Sequence, residues 1–273
     1  MSAIVGNEFR LQRLRYTFEA VDRVRFAAMA SNTLRGALGY ALRDDSIFAP
    51  GAAGRHPSGL ADLPRPFLFR SAHLDGATVE AGTRFHFGLH LFDTRRDLAP
   101  MFTEAFARMG QRGIGAGSGG LRLCDVDRVD VAMPLAPGET AIETISVDFL
   151  TPTELKSRAA IAPEPLFPVL FARMRDRITT LSALYGDGPI EIDFRAMGER
   201  AQAVRMTASD IRYMEVTRRS TRTGQRHPIG GFLGTASYAG ALTEFLPWLE
   251  AAAFTGVGRQ TTWGKGEIRV RVS

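Results

Sequence analysis

The stretch Phe254-Thr-Gly-Val-Gly-Arg-Gln-Thr-Thr-Trp-Gly-Lys-Gly-Glu-Ile-Arg-Val270 combines a permissive backbone with positive charge. Gly256, Gly258, Gly264 and Gly266 surround Arg259 and Lys265. Glycine accepts positive φ and lets a ligand come close to main-chain N–H groups. Two cations and free amides on one loop suit a polyanion. The spacing is not the phosphate loop of nucleotide hydrolases, which needs G-x-x-x-x-G-K-[ST] opening a helix. Nor is it a dinucleotide fingerprint, because the order here is helix, glycines, strand.

A second cationic run spans Arg212 to His227. Thr223-Gly224 reads as a hairpin tip, with Arg218, Arg219, Arg222 and Arg226 around it. Such a hairpin can contact a nucleic-acid backbone; the plain alternative is a solvated, charged hairpin. Trp263 is expected to anchor its loop in the core, with base stacking as the functional alternative.

These residues need elements to position them. Leu242 to Phe254 has helical spacing and precedes the loop, and a strand over Glu267 to Val272 follows it. The first half repeats this order. Pro100 to Met109 reads as a helix, Gly110 to Gly120 is glycine-rich, and Leu121 to Val126 alternates like a strand. Upstream, strands are expected over Leu11–Phe18, Phe67–Phe69 and Thr83–Phe92. A helix capped at Ser31 or Asn32 is expected to run to about Arg43, with Arg35 and Arg43 off its buried stripe. Gly36 and Gly39 in that helix imply close packing or ligand approach. In the second half, strands are expected over Ile142–Leu150, Ile190–Phe194 and Gly230–Tyr238, and a helix over Phe167–Tyr185. Each half then has the order β-α-β-β-α-β, the ferredoxin-like module. The expected architecture is α+β: two tandem modules, residues 1–138 and 139–273, with a glycine-rich loop in the second.

Composition narrows the function class. The chain has 273 residues and a formal net charge of +5, with arginine supplying nearly all the cations. Arginine grips phosphate with two bonds and stacks on bases. The single cysteine, Cys124, rules out an internal disulfide, and no Cys/His spacing suits zinc. No apolar run is long enough to span a bilayer, and the first ten residues lack a signal pattern. A cytoplasmic protein without cofactor, metal or membrane partner is expected.

Five stretches together resemble the precursor-crRNA-processing endoribonucleases of CRISPR systems, in the RAMP superfamily, which share RRM-like modules. They are Leu34–Arg43, Phe149–Lys156, Pro228–Gly234, Phe245–Leu249 and Gly256–Gly266. Pro64–Phe67 adds a shorter match. The resemblance implies cleavage of CRISPR repeat RNA without metal, by attack of a ribose 2′-OH, giving a 2′,3′-cyclic phosphate and a 5′-OH. It also implies crRNA as a partner, and other effector subunits as further ones. A RAMP-fold RNA-binding subunit without cleavage activity is the alternative. Many members have histidine late in the first helix, where Tyr40 stands here, and a cysteine cluster that this chain lacks. The resemblance therefore points to His56, in the loop after that helix, then to Tyr40 and His227, as the acid–base candidates; for Tyr40 packing is the favoured reading and proton transfer the alternative. It assigns RNA contacts to Arg35, Arg43, the hairpin arginines and the glycine loop. His86 and His90 share the non-core side of a strand and read as structural or RNA-contacting, and His73 as a loop residue.

Overall fold

The computed structural model describes residues 7–42, 47, 63–115, 117–157, 160–215 and 230–273, with the backbone alone of 217–219 and 226–228. Two four-stranded antiparallel sheets organise it. The first contains β1 (Glu8–Ala20), β2 (Phe67–Arg70), β3 (Arg84–Leu91) and β4 (Leu121–Pro134), in the order β2-β3-β1-β4. The second contains β5 (Thr144–Thr153), β6 (Arg205–Met214), β7 (Gly231–Ala239) and β8 (Ile268–Val272), in the order β6-β7-β5-β8. Both orders are those of a ferredoxin-like βαββαβ unit. The crossing helices are α1 (Ala30–Ala41) and α2 (Ala99–Arg112) in the first, and α3 (Phe167–Tyr185) and α5 (Leu246–Thr255) in the second. A short α4 (Phe194–Ala201) precedes β6.

β1 alternates along most of its length. Leu14, Tyr16, Phe18 and Ala20 face the helices and pack with Leu34, Leu38, Phe87, Phe102 and Phe106. Tyr16 and Phe106 meet edge to face, with ring centroids 4.5 Å apart. Phe9 and Leu11 point to the opposite face and join Leu68 and Phe92 in the second module's core. One strand thus serves two cores. Backbone bonds also cross the junction, including Thr94 N–H to Tyr185 O at 3.0 Å. Tyr185 donates its hydroxyl to Pro64 O at 2.8 Å.

The structure corrects three local expectations. α1 starts at Ala30, so Ser31 lies inside its first turn rather than capping it. The Ala30 N–H is satisfied instead by Asp75 Oδ1 at 2.7 Å, a cap supplied from outside the helix. Gly36 has open space where a β-carbon would stand, so close packing within the chain does not explain it. In the second module Ile190 to Phe194 forms no strand. Asp193 accepts a bond from Ala196 N–H and caps α4, and the sheet takes Arg205–Met214 instead.

Candidate nucleic-acid interface

The glycine loop forms where α5 ends. Gly256, Gly258, Gly264 and Gly266 all have φ between 70° and 85°, and Gln260 is also left-handed at 59°. Three of the glycines are demanded by contact as well as by φ, Gly258 because a β-carbon there would strike the Glu154 carbonyl. A β-carbon at Gly266 would strike the Val257 carbonyl, and one at Gly264 would strike the Ser31 side chain. The loop is therefore folded tightly on itself and against α1. Its amides are largely engaged. Val257 N–H donates to Gly266 O, Arg259 N–H to Glu154 O, and Gly266 N–H to Pro152 O. Glu267 N–H donates to Thr151 Oγ1. The expected cradle of free amides does not form at these positions.

The two loop cations diverge. Lys265 is fully buried, contrary to the expectation that it would face RNA. Its Nζ donates to Gly230 O at 2.6 Å, to Gln260 Oε1 at 3.0 Å and to Glu154 Oε2 at 3.4 Å. Burial pushes the ammonium's pKa down, and Glu154 opposes that. A charge with three acceptors inside the protein holds the loop. Arg259 pairs with Glu154 Oε1 at 2.5 Å, yet its side chain stays 54% exposed and remains available to a polyanion. Arg35 of α1 reaches the same surface. Its guanidinium lies 5.5 Å from the centre of the half-buried Trp263 ring, a cation–π contact joining helix and loop.

Tyr40 is 69% exposed near the end of α1, so it is not a packing residue. It borders a groove of about 300 Å³ with Ala37, Met109, Arg112 and Gly113. Arg112 donates to Tyr40 O at 2.9 Å, and Arg108 Nε donates to Ala41 O at 3.3 Å, so two arginines cap this end of α1. Arg112 was not singled out from the sequence; its spacing in α2 is that of an ordinary exposed helix residue.

His56, Arg43 and Arg222 lie outside the described residues. Arg218 pairs with His227, and Arg219 with Arg226, in a two-stranded hairpin, while the side chains of all four lie outside the described set. Among the described histidines, His90 is buried, with Nδ1 2.9 Å from Phe254 O. Burial, reinforced by the Arg70 charge, pushes its pKa down to about 3. It is a neutral structural imidazole. His86 stacks on His73 at 4.7 Å and lies 3.2 Å from Arg15 on the outer sheet face. Burial and those two neighbours lower its pKa.

A second groove, of about 550 Å³, runs along the module junction between Met133, Leu150, Phe254 and Arg269. Arg13 lies 5.6 Å from the centre of the Phe254 ring at this place. The Phe254 ring is half-buried against the second module's core, and Glu250 and Glu267 line the same groove, so this groove is less suited to a polyanion than the surface around Arg259.

Residues 147–268 match the family model of the CRISPR-associated endoribonuclease Cas6. The matched segment runs from within β5 through the hairpin and glycine loop to the first residue of β8. The chain resembles the Cas6 endoribonucleases. Residues 45–142 match a separate model described as an N-terminal domain. No curated protein matches. Among solved structures, a Cas6 product complex is similar over 96% of this chain and 100% of its own, at 17% identity and TM-score 0.61. Thermus thermophilus Cas6 is similar over 96% and 98%, at 18% identity and TM-score 0.58. A RAMP protein binding different RNA substrates is similar over 95% and 99%, at 12% identity and TM-score 0.50. At these identities the Cas6 likeness establishes the paired ferredoxin-like fold.

Proposed function

We propose that this chain cuts CRISPR repeat RNA into mature crRNA, without metal, by internal attack of a ribose 2′-OH. The family-model match across residues 147–268 carries the reading, because it covers the sheet, the hairpin and the glycine loop together. A similar structure described as a RAMP protein binding different RNA substrates supports RNA as the ligand, and Cas6 product and substrate-mimic complexes are similar too. The exposed Arg259 and the Arg35–Trp263 pair offer phosphate contact and a stacking surface.

In the proposed step a base takes the 2′-OH proton and the oxygen attacks the adjacent phosphorus. The P–O5′ bond breaks, and an acid returns a proton to the leaving 5′-oxygen. The products are a 2′,3′-cyclic phosphate and a 5′-OH. His56, Tyr40 and His227 are the candidates for acid and base, because histidine and tyrosine carry transferable protons. His90 is not among them, since it is buried, bonded to Phe254 O and neutral.

The test is single-turnover cleavage of the cognate repeat in excess EDTA, with a matched RNA carrying deoxyribose just upstream of the cut. Cleavage is expected in EDTA and abolished by the deoxy substitution. Cutting of the deoxy substrate would sink the mechanism. Tight binding with the RNA left intact would instead support a non-cleaving RNA-binding subunit of a CRISPR effector complex.

A further inference from the structure

The last carbonyls of α5 are held by side chains from elsewhere. Arg70, at the end of β2 in the first module, donates Nη2 to Ala253 O at 2.5 Å and to Phe254 O at 3.0 Å. His90 of β3 contacts the same Phe254 O at 2.9 Å. Arg177 of α3 donates Nε to Thr255 O at 2.8 Å. A helix leaves its final carbonyls unbonded and partially negative, so cations belong there. Here the Arg70 cation and the neutral His90 imidazole come from across the module junction, and the glycine loop starts at the very next residue after Thr255.

The far end of the loop is held by the same neighbourhood. Arg70 Nη1 lies 3.8 Å from Glu267 Oε2, just past Gly266. Ser71, next to Arg70, bonds Ser31 of α1 through their buried hydroxyls at 2.7 Å. Gly264 is seated directly against that Ser31 side chain. One side chain therefore touches the residues before and after the loop, and its neighbour fixes the surface on which the loop rests. The Arg70 side chain is only 13% exposed, too enclosed to serve as an RNA contact itself.

We propose that Arg70 is a positioning residue that sets the glycine loop against α1, so that Arg259 and the Arg35–Trp263 pair present one continuous surface to RNA. The choice of RNA as the ligand rests on the function proposed above; the positioning of the loop does not. Arginine is suited to the task because its planar fork spreads its donors over separate nitrogens, so Nη2 bonds two successive carbonyls while Nη1 faces the carboxylate on the far side of the loop.

Arg70→Met and Arg70→Lys in the full chain would test this, with the cognate repeat RNA as probe. Amide hydrogen exchange should accelerate in residues 254–266 and stay unchanged elsewhere. Repeat affinity should fall roughly 3- to 30-fold in R70M, with R70K intermediate. The slope of log affinity against log salt should not change, because no phosphate contact is lost. A slope reduced by about one would make Arg70 a direct RNA contact and overturn the proposal. So would unchanged exchange in the loop, or a rise in exchange across the whole molecule. If R70M does not fold, R70K carries the test, and an unfolded R70K would mark Arg70 as a folding residue and overturn the proposal. If the wild type ignores the repeat while loop exchange still rises only at 254–266, the RNA reading fails and the positioning role stands.

Discussion

Lys265 and Arg259 share one loop and act in opposite directions. Removing Lys265 would leave Glu154, itself nearly buried, with Arg259 as its remaining cation. Loss of one partner from a buried pair costs about 3 kcal/mol. Lys265→Met is therefore expected to lower stability by about that amount in urea denaturation. At matched folding, its RNA salt slope should equal the wild type's. Arg259→Gln should do the reverse: nearly native stability, and a salt slope smaller by about one, read from repeat-RNA titrations at several salt concentrations. The sequence made these residues look alike because both are cations between glycines. Both pair with Glu154, and what separates them is Gly230, which bonds Lys265 alone and is far away in sequence, adjacent only once the second module has folded. Tyr40 was legible as a departure from the family pattern, and its exposure keeps it in contention for chemistry. Tyr40→Phe should slow single-turnover cleavage by ~10²–10⁴ if its hydroxyl transfers a proton. Unchanged cleavage would return the role to His56 or His227.

At the scale of elements, the periodic ones were legible and the exposed ones were not. α2, α3 and β3 carry apolar residues at clean helical or alternate spacing, and they formed within a few residues of where that spacing puts them. β6 was missed because it is an edge strand with most of its side chains in solvent, leaving only Met206 and Ile211 partly buried. Alternation cannot reveal a strand that buries so little. α1's start was misplaced because its cap, Asp75, comes from outside the helix. The glycine loop was legible as a loop, but its purpose was not. Engaged amides and close contacts make it a folded element in its own right, so Gly266→Ala should destabilise the protein by more than about 2 kcal/mol. A thermal midpoint within a degree of wild type would contradict this. The arginine hairpin is expected to behave as an appendage. Replacing Arg218, Arg219, Arg222 and Arg226 with glutamine should weaken repeat binding many-fold and leave the melting temperature nearly unchanged.

At the scale of the whole molecule, the tandem ferredoxin-like plan was legible from the repeated order of helix, glycines and strand. The interlock between modules was not, because each residue that makes it reads as an ordinary member of its own strand. His90 gives the interlock a pH dependence. Its folded pKa of about 3 lies below the unfolded value of about 6.5. Between those values the unfolded chain binds the extra proton, so stability falls as pH drops below about 6.5. By pH 5 this single group should cost about 2 kcal/mol. Denaturation at pH 7 and pH 5 should show that difference in wild type and a smaller one in His90→Gln.

β1 has a further consequence, for the order of events during synthesis. The first half leaves the ribosome with Phe9, Leu11, Leu68 and Phe92 on one sheet face and nothing yet made to cover them. The covering residues, from Phe167 in α3 to Ala252 in α5, are translated afterwards, at ~5–20 residues per second. For roughly ten seconds each nascent chain displays an uncovered apolar face, a natural place for a chaperone to bind and for neighbouring chains on a polysome to stick. A fragment ending at residue 138 would hold that state permanently. It is expected to sediment as aggregates unless the second half is co-expressed.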